Sequence, residues 1–115
     1  TMERVCNGKV ALAFETQEML RQTGASMEET EGIIESLRSI QGVEIAIFLK
    51  EHAQQIIKVS LRSKTYADVA VISAAHGGGG HVRAAGFSMQ KPLAEVKELI
   101  LLEACSQIKA SGQEG

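Results

Sequence analysis

VEIAIFLKEHAQQIIKVSLRS, Val43 to Ser63, decides how the chain folds. Its opening part, Val43 to Lys50, is apolar at both odd and even positions, as a strand covered on both faces requires. Its closing part alternates: Ile57, Val59 and Leu61 are apolar, while Lys58, Ser60 and Arg62 are polar. An interior strand and a strand with one polar face, joined by the short polar EHAQQ, predict an antiparallel hairpin within a sheet that helices cover.

Upstream of that hairpin, KVALAF (Lys9 to Phe14) is another short apolar run consistent with a strand. TQEMLRQTG after it predicts a short helix stopped by Gly24. Ser26 followed by Glu29 makes a capping box, and the helix it opens buries Ile33, Ile34 and Leu37 and ends before Gly42. Downstream, Thr65 with Asp68 is a cap signal for a helix through Val69 and Ile72, which the glycines at Gly77 stop. AAGFSM (Ala84 to Met89) gives a last short strand. Pro92 suits a first helical position, and Leu93, Val96, Ile100 and Ala104 mark one face of a terminal helix. The predicted order is β-α-α-β-β-α-β-α. It describes one α/β domain over residues 1–115, with a mixed sheet of about four to five strands flanked by helices and a frayed SGQEG tail.

Composition narrows the function. An apolar fraction of 44% and a charged fraction of 23% are ordinary for a globular chain, but aromatic residues make up only 3% and Trp is absent. Base stacking on several rings is therefore not expected. No apolar run reaches the roughly 18 residues of a membrane helix, and a cytoplasmic protein with no membrane partner is expected. Cys6 and Cys105, far apart and in no CxxC pair, read as two reduced thiols. The opening Thr1-Met2-Glu3 reads as a cut from a longer polypeptide or a tag scar. Net charge is −2, unevenly spread: residues 1–51 hold five basic and nine acidic side chains, and residues 93–115 hold two and four. Residues 52–92 hold five basic against Asp68 alone, and that segment predicts an anionic ligand at one place.

Within the basic segment lies GGGGHVRAAGF, Gly77 to Phe87. Glycine admits positive φ and lets a ligand approach the main chain, and successive free N–H groups in such a loop form an anion-binding concavity. His81 and Arg83 add donors, Arg83 in a bidentate manner where geometry allows. Lys58, Ser60 and Arg62 point to one face of the hairpin, so donors from two elements converge if that face meets the loop. The alternative for a glycine run is a plain flexible connection. The run is neither a Walker loop, lacking Gly-Lys-Ser/Thr, nor a GxGxxG fingerprint. His52 reads as a solvent-facing turn residue and His76 as a helix-end histidine suited to the dipole.

GGGGHVRAAGF resembles the GGGH-x-x-AAG signature of the DHH-associated domain that follows the catalytic domain in DHH-family phosphoesterases. TGASMEETEGIIESLRSIQGVEIAIFLKE followed by IKVSLRSK is similar to the branch that degrades short oligoribonucleotides and dephosphorylates 3′-phosphoadenosine 5′-phosphate. The resemblance implies a substrate-binding domain that closes over a cleft, with two manganese ions carried by a separate domain upstream in the same chain. It implies that Gly78, Gly79, Gly80 and His81 meet substrate phosphates or ribose and that Arg62 grips a phosphate, with Ser63, Lys64 and Arg83 as secondary binding residues. The implied partner is a phosphate-bearing nucleotide or short single-stranded RNA, and a homodimer through the parent protein stays open.

Catalysis by the chain itself is not expected. The Asp-His-His motif is missing, Asp68 is the one aspartate, the three histidines are scattered, and neither cysteine has a nearby histidine. No metal or other cofactor is expected in this stretch. Two other classes remain: a tRNA-handling module related to the end of alanyl-tRNA synthetases, and an interaction or dimerisation domain in which the glycines only permit close packing. The first calls for a larger basic surface than this chain offers.

Overall fold

The computed structural model describes residues 2–23, 27–53 and 55–110. Along it run β1 (Met2–Val5), β2 (Val10–Glu15), α1 (Gln17–Thr23), α2 (Met27–Ser39) and β3 (Ile45–Ala53). They are followed by β4 (Ile56–Ser63), α3 (Val69–Ala74), β5 (Gly79–His81), β6 (Ala84–Met89) and α4 (Leu93–Ala110). The strands form one mixed sheet in the order β1-β2-β3-β4-β6-β5. Among the described residues only β2 and β3 pair in parallel, joined by the crossover through α1 and α2, which fits the long connection that parallel pairing needs.

The single α/β domain is as expected, but the sheet has six strands rather than four to five. Both additional strands lie at edges. β1 pairs with β2 from MERV, whose residues alternate between exposed and half-buried and so carry no apolar run to notice. β5 is formed by the glycines themselves, paired with β6 through Gly79–Gly86, Gly80–Ala85 and His81–Ala84. The Val43–Ser63 stretch does form the antiparallel β3–β4 pair. Its first strand continues to Ala53, so exposed His52 sits in a strand end with a register shift between Glu51 and Ala53, and not in a turn.

Two apolar layers flank the sheet. On one face, Val69 and Ile72 of α3 and Val96, Ile100, Ala104 and Ile108 of α4 pack on Ile45, Ile47, Leu49, Ile57, Val59 and Leu61. On the other, Ile34 and Leu37 of α2 pack on Ala11, Ala46 and Phe48. Alternation along β3 sends Ile47 to one layer and Phe48 to the other, which is why Val43–Lys50 reads as apolar on both faces. The second layer is the smaller one: α2 packs chiefly on β3, β4 and β2.

Two local expectations change. Asp68 alone caps α3, its carboxylate accepting from Ala70 N and Val71 N at 2.9 and 3.3 Å. Cys6 and Cys105 are not free thiols: they are joined as a disulfide with Cα atoms 6.0 Å apart, since the β1–β2 turn lies beside α4. The capping box rests on Ser26, which with Gly24 and the SGQEG tail lies outside the described residues.

Candidate phosphate-binding face

The β4–β6–β5 end of the α2 face gathers residues from three strands. Cross-strand partners share a face, so Arg62 and Ser60 of β4 lie beside Ala84 and Gly86 of β6. These in turn lie beside His81 and Gly79 of β5. Arg62, His81 and Gly79 are thus brought to one side of the sheet, with residues no larger than alanine on the strand between them. A Cβ built on Gly79 meets nothing within 4 Å, and one on Gly86 meets only Val59 O, at 3.0 Å. The face is open.

Arg62 is already paired. Its side chain is 16% exposed, and Nη2 donates to both carboxylate oxygens of Glu31 on α2, at 3.0 and 3.2 Å. Glu35 stands 3.9 Å from Nε, and Nη1 donates to Leu61 O at 2.9 Å. An anion arriving here would meet a fixed guanidinium whose present partner is a carboxylate of mostly exposed Glu31.

The four glycines perform four different tasks. Gly77 adopts φ +80° after α3, and the N–H groups of Gly77 and Gly78 donate to Ala74 O and Ser73 O at 3.1 and 2.9 Å. Those bonds close the helix end, so the expected run of free N–H groups is not present at Gly77 and Gly78. Gly78 is needed for packing: a Cβ there would lie 2.5 Å from Phe87 Cβ and from Ser73 Oγ. Gly80 combines φ +136° with a backbone contact of 2.5 Å from its virtual Cβ to Ala85 Cα. Gly79 alone of the three expected ligand-facing glycines looks onto free space.

The secondary residues all donate to main-chain carbonyls. Arg83 donates to Ala67 O at 2.8 Å and to Thr65 O, which ties the β5–β6 hairpin to the loop after β4 and leaves it no aim towards the open face. Ser63 is fully buried, with Oγ donating to Val82 O, and its N–H donates to Arg83 O. Lys64 turns the other way, its Nζ donating to Ile40 O at 3.1 Å beyond the end of α2. The turn of the hairpin is therefore held by its main chain, and this sets where His81 stands.

One residue that holds this scaffold was legible only as an oddity, a carboxylate in the apolar run VEIAIFLK. Glu44 is 4% exposed and accepts from Thr65 N and Oγ1, Tyr66 N and Ala67 N. Burial alone would raise its pKa, but the hydrogen bonds from Ala67, Thr65 and Tyr66 together outweigh it and hold the carboxyl below its ordinary value. With those N–H groups turned inward, the carbonyls of Thr65 and Ala67 are left for Arg83. Burial first, and the charge of Glu44 second, push the Tyr66 phenol up. His76, before the glycines, stacks on Phe87 with centroids 4.7 Å apart and meets Glu103 at 2.7 Å, so side chains and not only the helix end fix it.

Among the described residues no three His, Cys, Asp or Glu side chains stand together as metal ligands, and the residues present do not fit a manganese pair.

The profile of the DHHA1 domain matches residues 7–110. Among solved structures, an exopolyphosphatase-related protein from Bacteroides fragilis superposes with a TM-score of 0.82 at 25% identity, over 95% of this chain and 32% of that one. A pGpG-specific phosphodiesterase from Vibrio cholerae gives a TM-score of 0.57 at 13% identity, over 96% of this chain and 36% of that one. The C-Ala domain of Aquifex aeolicus alanyl-tRNA synthetase gives 0.56 at 15% identity, over 91% of this chain and 96% of that one. The last two likenesses are of fold alone. The chain spans about a third of the length of the first two proteins.

Proposed function

Because the chain belongs to the DHHA1 domain family, we propose that its open sheet face holds the phosphate of a nucleotide or short single-stranded RNA for a DHH catalytic domain. In this reading the catalytic domain supplies manganese-dependent phosphoester hydrolysis, and this domain supplies binding and orientation. The substrate is a short oligoribonucleotide or 3′-phosphoadenosine 5′-phosphate, and the setting is the cytoplasm. The observation that carries the reading is the gathering of Arg62, His81 and Gly79 on one sheet face across β4, β6 and β5. Arg62 grips the phosphate, His81 adds a donor, and Gly79 admits the ligand to the main chain.

The domain alone offers few charge-assisted bonds, about 4–6 kcal/mol net, so its affinity is expected to be millimolar to high micromolar. Titration of the 115-residue chain with a 5′-phosphorylated dinucleotide should shift the amide resonances of Gly79 to His81. Arg62→Ala should weaken binding at least about tenfold while circular dichroism reports an unchanged fold. Shifts confined to other elements, or an indifferent Arg62→Ala variant, would place the site elsewhere.

Glu31 competes with the ligand for the same guanidinium. Glu31→Gln is expected to tighten phosphate binding about twofold to fivefold at low salt, the size of an exposed ion pair. Weaker binding in that variant would mean that Glu31 aims Arg62 and does not occupy it. The similarity to C-Ala concerns fold, and no observation here favours a tRNA substrate.

A further inference from the structure

The second feature of the open face lies further along β4. Lys58 shares the side of Arg62 and Ser60, and its cross-strand partner on β3 is Lys50. Like charges set directly opposite on one face repel, and their Cβ atoms lie only about 4.5–5.5 Å apart. Among the described residues no ion pair offsets that repulsion, so an added negative group would relieve it. Eight of the twelve lysines and arginines are engaged: Arg4, Arg21, Arg38, Arg62, Lys64, Arg83, Lys91 and Lys97 each reach a carboxylate or a carbonyl. Lys50 and Lys58 reach neither among the described residues. Glu15 stands beside Lys50 in register on β2 yet makes no ion pair with it, and one of its oxygens is buried without a partner. On the far side, the cross-strand partner of Lys58 is exposed Ser88 of β6.

We propose that Lys50 and Lys58 form a second anion subsite, with Ser88 at its rim, on the same sheet face as Arg62. The inference rests on the reading of Arg62 and His81 as the first phosphate site. Arg62 lies four positions along the strand from Lys58, about 13 Å at 3.2–3.4 Å per residue. Between them the face carries Ser60, with Gly86 beside it on β6 and buried Phe48 beside it on β3, so the open path runs along the β4–β6 side. One phosphate cannot reach both ends. The chemistry selected is a linear chain bearing phosphates along its length, whether a short nucleic-acid strand or inorganic polyphosphate, in preference to a lone phosphate or a mononucleotide. Ammonium groups at the far end act as point charges and bring no base recognition, so this subsite reads length and not sequence.

The test is a length series with the full chain. Affinities are measured for 5′-phosphorylated oligoadenylates from mono- to tetranucleotide, and in parallel for inorganic polyphosphates of increasing length. The proteins compared are wild type, Lys50→Ala/Lys58→Ala, Arg62→Ala and a charge-matched Lys9→Ala/Lys109→Ala control. Wild-type affinity is expected to rise about tenfold with length at low salt, and the slope of log K against log salt to grow by roughly 0.7 for each phosphate engaged. Lys50→Ala/Lys58→Ala should flatten both trends, leave the mononucleotide affinity within about twofold of wild type and melt like wild type, while the control keeps both trends. The arm showing the length dependence, nucleotide or polyphosphate, identifies the source of the phosphate chain. Equal length dependence in wild type and Lys50→Ala/Lys58→Ala would overturn the subsite while leaving the Arg62 site standing. Absence of binding at every length in both arms, or an unaffected Arg62→Ala variant, would remove the first site and this inference with it.

Discussion

Replacing Glu44 by alanine is expected to cost the fold about 3–5 kcal/mol, because three backbone N–H groups and one hydroxyl lose a buried acceptor at once. The corresponding fall in Tm is on the order of 15–25 °C. The loss should depend on pH. The folded-state carboxyl titrates below its unfolded value, near 4.3, so its stabilisation is fully present above that pH. It fades as pH falls through the folded-state value. Wild type and variant should therefore differ most near neutrality and converge in acid, as urea melts from about pH 3 to pH 7 would report. A gap that stayed constant with pH would assign the loss to missing volume and not to the ionised carboxylate.

A comparably large effect is expected at Gly80, and a different one at its neighbour. Gly80→Val places a β-branched side chain at φ +136° with its Cβ 2.5 Å from Ala85 Cα. Strain and overlap together should cost about 3 kcal/mol or more and melt the β5–β6 pairing. Gly79→Val meets no such obstacle, since its Cβ points into open space at an ordinary φ. That variant should melt like wild type yet lose nucleotide binding, its isopropyl group standing where the phosphate would rest. Thermal melts together with nucleotide titrations separate the two cases. Unchanged affinity in a well-folded Gly79→Val protein would mean that the ligand does not cross β5.

Periodicity made most of the architecture legible. The alternation of Ile57, Val59 and Leu61 with Lys58, Ser60 and Arg62 fixed which way β4 faces, and Leu93, Val96, Ile100 and Ala104 predicted the buried side of α4. What periodicity could not carry was missed. MERV has no apolar run, because an edge strand half in solvent needs none. The glycines have no side chains to show a pattern, so β5 read as loop although its pairing with β6 is regular. Arg62, Gly79 and His81 share one face of the sheet, while Ser63, Lys64 and Arg83 look like donors in sequence and serve main-chain carbonyls in space. Their acceptors lie on segments distant in sequence, which local chemistry does not reveal. The disulfide escaped for the same reason, as the turn at Cys6 and the helix at Cys105 become neighbours only in the folded chain.

The position of the face across a seam ties ligand binding to folding order. β5 and β6 are joined by the Val82–Arg83 turn and can pair locally within microseconds. The β4–β6 pairing instead joins segments separated by α3 and the glycine run, and must wait for a larger loop to close. Arg62 lies on one side of that late seam and His81 and Gly79 on the other. The proposed phosphate site thus does not exist in any intermediate that lacks the seam. A ligand held across it binds the native ensemble alone, shifts the folding equilibrium by RT ln(1 + [L]/Kd), and slows exchange of the amides that join β4 to β6.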